Sequence, residues 1–120
     1  MDKKIRVLFY NIDGAGVNYF RTLTPATEIE RNHSDEVYVD INQTLDFENP
    51  EIIDYLKTFD IIHYHRQFHP DLMKMRGLVR ELKKSGVVFI MDVDDYWYLH
   101  EKHPYYNLSR EKKLPETIIE

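Results

Sequence analysis

Cysteine is absent from the 120 residues, so disulfides, thiolate catalysis and zinc–thiolate sites are excluded. Long apolar runs are also absent. No stretch approaches the ~20 residues of a membrane span. The opening MDKKIRVLFYNIDG has no secretory pattern, because charged residues follow its apolar run almost at once. These two absences lead us to expect a cytoplasmic protein. The three Asn-x-Ser/Thr triplets, at Asn32, Asn42 and Asn107, are then chance matches. An excess of positive charge is missing as well. The formal charge is −5 with a pI near 5.7, which argues against a nucleic-acid or anionic-membrane binder with a basic face. Low-complexity segments and internal repeats do not occur.

What is present fits one globular core. Hydrophobic residues make up 42% and charged residues 31%, the balance of a folded domain rather than a disordered one. Four short apolar runs read as strands: Ile5 to Asn11, Glu36 to Ile41, Asp60 to His65 and Val87 to Asp92. None alternates cleanly, which suits strands covered on both faces of a parallel sheet.

Helix signals lie between the strands. Asn49-Pro50-Glu51 reads as an N-cap, a first-turn proline and an acidic first turn, opening a short helix that runs to Thr58. His69-Pro70-Asp71 opens a second, in which Leu72, Met75, Leu78, Val79 and Leu82 share one face. Lys83 and Lys84 fall in its last turn and Gly86 ends it. Pro25 interrupts the first crossover, Val17 to Arg31, so a short helix to about Thr24 and then a kink or a second piece are expected. Strand–helix alternation predicts a three-layer, Rossmann-like α/β domain over residues 1–95. Its parallel sheet would have about four strands in the order 2-1-3-4. Residues 96–120 read as an irregular aromatic and His-rich extension, truncated at Glu120, with a helix start at Ser109-Arg110-Glu111-Lys112.

In such a sheet the loops at the carboxyl ends of the strands line the ligand crevice. Three are chemically loaded: Asn11 to Gly16, His65 to His69 and Asp92-Val93-Asp94-Asp95. The turn bearing Gly14 and Gly16 is a phosphate-cradling loop or merely a tight turn. It lacks the third glycine of a dinucleotide fingerprint and the Gly-Lys-Ser/Thr of a P-loop. His63 and His65 share one strand face, as metal ligands or as packing residues. Arg66 is expected to pair with Asp92, Asp94 or a ligand anion. The Asp-x-Asp-Asp cluster is a loop cap, a general base, an acceptor for sugar hydroxyls or an oxygen-ligand set for Mg²⁺ or Mn²⁺. Asp92 is expected to be the enclosed, structural carboxylate, bound to Arg66 or to backbone N–H groups. Asp94 and Asp95 would face a ligand.

Several stretches resemble the N-terminal domains of GT-B-fold glycosyltransferases of the family-4-like, bacterial and phage type. They are Lys4-Ile5-Arg6-Val7-Leu8 with Gly14-x-Gly16; Tyr19-Phe20-Arg21 with Pro25; Asp60-Ile61-Ile62-His63-Tyr64-His65-Arg66; and Asp92 to Trp97 followed by His103-Pro104. The resemblance runs from about residue 4 to 104. It departs at the fourth strand, where many members carry a histidine, and at the short turn containing Asp13. It implies an acceptor-side domain that is inactive without a C-terminal, donor-binding domain. A nucleotide-sugar and an acceptor would be its partners, with no nucleic acid, no transmembrane segment and no cofactor; Mg²⁺ or Mn²⁺ is not favoured. Asp94 and Asp95 would be catalytic. Gly14, Gly16, His65, Arg66, Tyr96 and Trp97 would contact substrate, with Tyr98, Tyr105 and Tyr106 as further stacking faces. Two alternatives stand beside this reading. One is a metal-dependent hydrolase or transferase using Asp92, Asp94, His63 and His65. The other is a non-catalytic module such as a receiver-like domain, although His63-Tyr64-His65 occupies the place of a receiver's phospho-accepting aspartate.

Overall fold

The computed structural model describes residues 3–10, 19–65, 68–69, 71–92 and 99–111. Four strands form one sheet: β1 (Ile5–Tyr10), β2 (Val37–Asn42), β3 (Ile61–His65) and β4 (Val88–Asp92). All pairings are parallel and the order is β2-β1-β3-β4, as the alternation of strands and helices predicts. The strand bounds agree with the apolar runs to within one or two residues.

Alternation along the strands divides the core in two. Val7 and Phe9 of β1 face α1 (Thr24–Asn32), packing with Ala26 and the half-buried Ile29, Val39 and Ile61. Leu8 and Ile62 face the other way, against Leu56, Phe59, Phe68 and Leu82. The second layer holds α2 (Ile52–Leu56) and α3 (Leu72–Lys84). Successive parallel strands need crossovers, and reversing the direction of travel after β2 sends α1 to one face and α2 and α3 to the other. The result is a three-layer α/β domain.

Local chemistry explains most helix limits. Asp71 caps α3, its carboxylate accepting from the Lys74 N–H at 3.0 Å. Beyond Ser85 the chain turns at Gly86, whose φ of +91° is the left-handed conformation that favours glycine. The first crossover divides as Pro25 requires: a wide, π-type helical turn at Tyr19–Leu23, then α1 with the proline in its first turn. Two limits are corrected. Asn49 does not cap α2 directly; its side chain accepts from the Glu51 N–H at 2.9 Å, making a turn that delays the helix to Ile52. The helix expected from Ser109 begins earlier, as α4 (Tyr106–Glu111), which encloses Ser109. Among the described residues no helix is long and apolar enough to cross a membrane.

Candidate functional site

Sheet register assembles a polar cluster at the carboxyl edge. The Cα atoms of His65 and Asp92 are partners across the β3–β4 ladder, and His63 lies two residues back on the same face of β3. That face is the one toward α1, since Phe9 stacks on the His63 ring with centroids 5.1 Å apart. The wide turn at Tyr19–Leu23 packs on β1 and β3 and carries Arg21 to the end of β4. There the Arg21 guanidinium donates to both carboxylate oxygens of Asp92, from Nε at 2.6 Å and from Nη2 at 2.5 Å. A two-pronged guanidinium–carboxylate pair fixes geometry as well as charge.

Asp92 is half-buried, its side chain 20% exposed, and is held in an ion pair; Asp94 and Asp95, with which the sequence contrasts it, lie outside the described residues. The partner seen is Arg21, 71 residues away in sequence, carried there by the return of the first crossover over β3. Arg66, the neighbour that chain order offers, lies outside the described residues. Arg21 holds the Asp92 carboxyl below its ordinary range; burial opposes this, and the nearby histidines assist.

His63 is the unusual member. Its Nδ1 is buried and has no hydrogen-bond partner. Burial lowers the pKa of the ring; Asp92 pulls it upward and His65 pushes it further down. The imidazole is thus neutral at pH 7, a state able to accept a proton or to hold a hydroxyl. Thr22, fully buried in the wide turn over the same strands, has the other orphaned side-chain atom among the described residues, Oγ1. Leaving a buried polar atom without a partner costs about 1–3 kcal/mol. Both orphans belong to the segments that build the cluster.

Of the six residues expected to contact substrate directly, His65 can be located: buried, at the cluster. Of the further stacking faces, Tyr105 is 61% exposed and Tyr106 is half-buried at the start of α4. Gly14, Gly16, Arg66, Asp94, Asp95, Tyr96 and Trp97 lie outside the described residues. Arg21 and Thr22 escape a reading based on the three carboxyl-end loops. The one sequence signal for Arg21 is its place in the Tyr19-Phe20-Arg21 stretch. Among the described residues no group of three or more His, Asp or Glu is arranged to hold a metal ion. Asp92 in particular has both oxygens committed to Arg21.

A second concave region lies away from this edge, between α2 and α3. It has a volume of about 650 Å³ and is lined by Phe47, Ile53, His69 and Gly77 among others. His69 is a packing histidine there. Its Nδ1 accepts from the Asp71 N–H at 2.9 Å and its ring meets Phe47 at 4.6 Å.

The fold is that of a Rossmann-like α/β domain, with a cluster of polar side chains at the carboxyl edge of its sheet. No family model, no curated protein and no solved structure matches the chain.

Proposed function

We propose that this chain is the acceptor-side, N-terminal part of a glycosyltransferase that moves a sugar from a nucleotide-sugar donor to an acceptor hydroxyl, with residues 1–95 forming the domain proper. The observation that carries this reading is the cluster of Arg21, His63, His65 and Asp92, with the orphaned His63 nitrogen inside it. Arg21 and Asp92 cancel in charge and His63 is neutral. Such a site suits a hydroxyl-rich, uncharged ligand better than a phosphate, which calls for uncompensated cations or backbone N–H groups. That is acceptor chemistry; the donor's diphosphate would be held by another domain.

In this reading Asp94 or Asp95 orients the acceptor hydroxyl or takes its proton. Gly14, Gly16, His65, Arg66, Tyr96 and Trp97 border the acceptor, the aromatic residues offering flat faces to a sugar ring. The competing metal-hydrolase reading is weakened by the Arg21–Asp92 pair, which takes the carboxylate such a site would need.

The test is an NMR titration of the imidazole signals of His63 and His65. Neutral mono- and disaccharides should move both rings, and the chain alone should turn over no nucleotide-sugar. Turnover by the chain alone, or rings that respond to Mn²⁺ and to no sugar, would refute the proposal.

A further inference from the structure

The two flanks of α3 differ in charge. Toward α2 its charged residues are matched: Lys74 meets Glu48 at 3.5 Å and Glu81 meets Lys57 at 3.4 Å. The opposite flank overhangs the β4 side of the sheet. There Arg80, Lys83 and Lys84 line a cleft of about 580 Å³, with Tyr64, Val79 and Phe89 among its apolar walls. None of these three cations has an ion-pair partner among the described residues. Arg76 lines the same cleft. In a chain of net charge −5, three neighbouring cations with no paired carboxylate among the described residues form a local reversal of sign.

The strand beneath is an edge. Among the described residues β4 pairs with β3 alone. The usual guards of an edge are a lysine or proline on the strand itself or an inward-pointing charge. The run Val88-Phe89-Ile90-Met91 has none of them; the inward-facing charge of β4, Asp92, stands only at its carboxyl end. On the face away from α3, Val88 and Ile90 are 55% and 45% exposed. The strand therefore offers a hydrogen-bonding edge, with cations above an aromatic floor on one face and bare aliphatic side chains on the other.

We propose that β4 accepts an extended segment of a partner protein as a fifth strand, one in which acidic and apolar residues alternate. Period-2 geometry gives that segment its pattern. Residues on the α3 side would place carboxylates against Arg80, Lys83 and Lys84. Those on the other side would cover Val88 and Ile90. The same charge argues against a second copy of this chain, because pairing β4 with β4 about a two-fold axis normal to the sheet brings two cationic flanks together. This inference is independent of the carboxyl-edge site.

The probe is a fluorescein-labelled peptide alternating valine with glutamate around one tyrosine, read by anisotropy with the purified chain. Binding should weaken as salt rises. The double variant Arg80→Glu/Lys83→Glu, at exposed positions, should weaken it by about tenfold or more with an unchanged circular dichroism spectrum. N-methylation of alternate peptide nitrogens should abolish binding in one register and spare it in the other. Amide exchange in Val88–Asp92 should slow in the complex. A charge-reversed variant that binds equally well, indifference to the register of methylation, or capture of anionic vesicles in place of the peptide would each overturn the proposal.

Discussion

Replacing Asp92 by asparagine tests the link from topology to energetics most directly. The wild-type side chain accepts two short hydrogen bonds from Arg21, at 2.6 and 2.5 Å. Breaking a hydrogen bond to a charged group costs roughly 1.5–3 kcal/mol in a buried setting. Here the Arg21 side chain is 43% exposed, so water re-solvates much of what is lost. Screening of that kind brings the expected cost down to ~1 kcal/mol. Asparagine keeps one acceptor but loses the charge and turns an N–H₂ toward the guanidinium. For a chain of this size ~1 kcal/mol corresponds to a fall in Tm of about 3–6 °C. The pH dependence adds a sign. Arg21 depresses the folded pKa of Asp92, so the stability it contributes is fully present above the ordinary value of 3.8. It is lost as pH falls through the depressed folded value, where wild type and Asp92→Asn should converge. Urea titrations followed by circular dichroism, on Asp92→Asn, Arg21→Gln and the double variant, should give a coupling energy of ~0.5–1 kcal/mol. Single losses that simply add in the double variant would refute the reasoning.

The remaining predictions follow from single side chains. His63→Phe removes the orphaned nitrogen while keeping a ring against Phe9, and should raise stability by ~1 kcal/mol in urea titrations while abolishing any sugar-induced NMR shift at His65. It should also remove one slope from the pH profile. The folded pKa of His63 lies below 6.5, so the unfolded chain takes up its proton first and wild-type stability falls as pH drops from 6.5 toward the folded value. Two glycines should respond with opposite sign, since a Cβ at either would meet nothing within 4 Å. Gly77→Ala, inside α3, should stabilise by about 0.5–1 kcal/mol, whereas Gly86→Ala should destabilise by ~1 kcal/mol because φ is +91°. Tyr55 donates a short hydrogen bond to Asp40, tying α2 to β2; burial first and that carboxylate second push its pKa up to about 12. Tyr55→Phe should cost ~1 kcal/mol, and spectrophotometric titration should show one fewer tyrosine ionising late.

Some of this architecture is written in short stretches. Val7 to Tyr10 and Val88 to Met91 are apolar runs of strand length, and strand–helix alternation leaves few ways to order the sheet they form; that the Val88 and Ile90 face of β4 is left open is not legible in the run itself. Asp71 and Gly86 bracket α3 by chemistry that acts over three or four residues: a carboxylate reaching an N–H, and a backbone without a Cβ. The shared face of His63 and His65 follows from period-2 geometry alone. The Arg21–Asp92 pair is of another kind. Local chain order nominates Arg66 as the partner, and only the return of the Tyr19–Leu23 turn over β3 brings a cation from 71 residues away to the end of β4. The orphaned nitrogen of His63 and the cationic cleft above Phe89 are likewise invisible in one dimension. Burial and proximity are properties of packed layers. Propensity, capping and alternation reach only a few residues along the chain, whereas ion pairs and clefts depend on which segments the crossovers bring together.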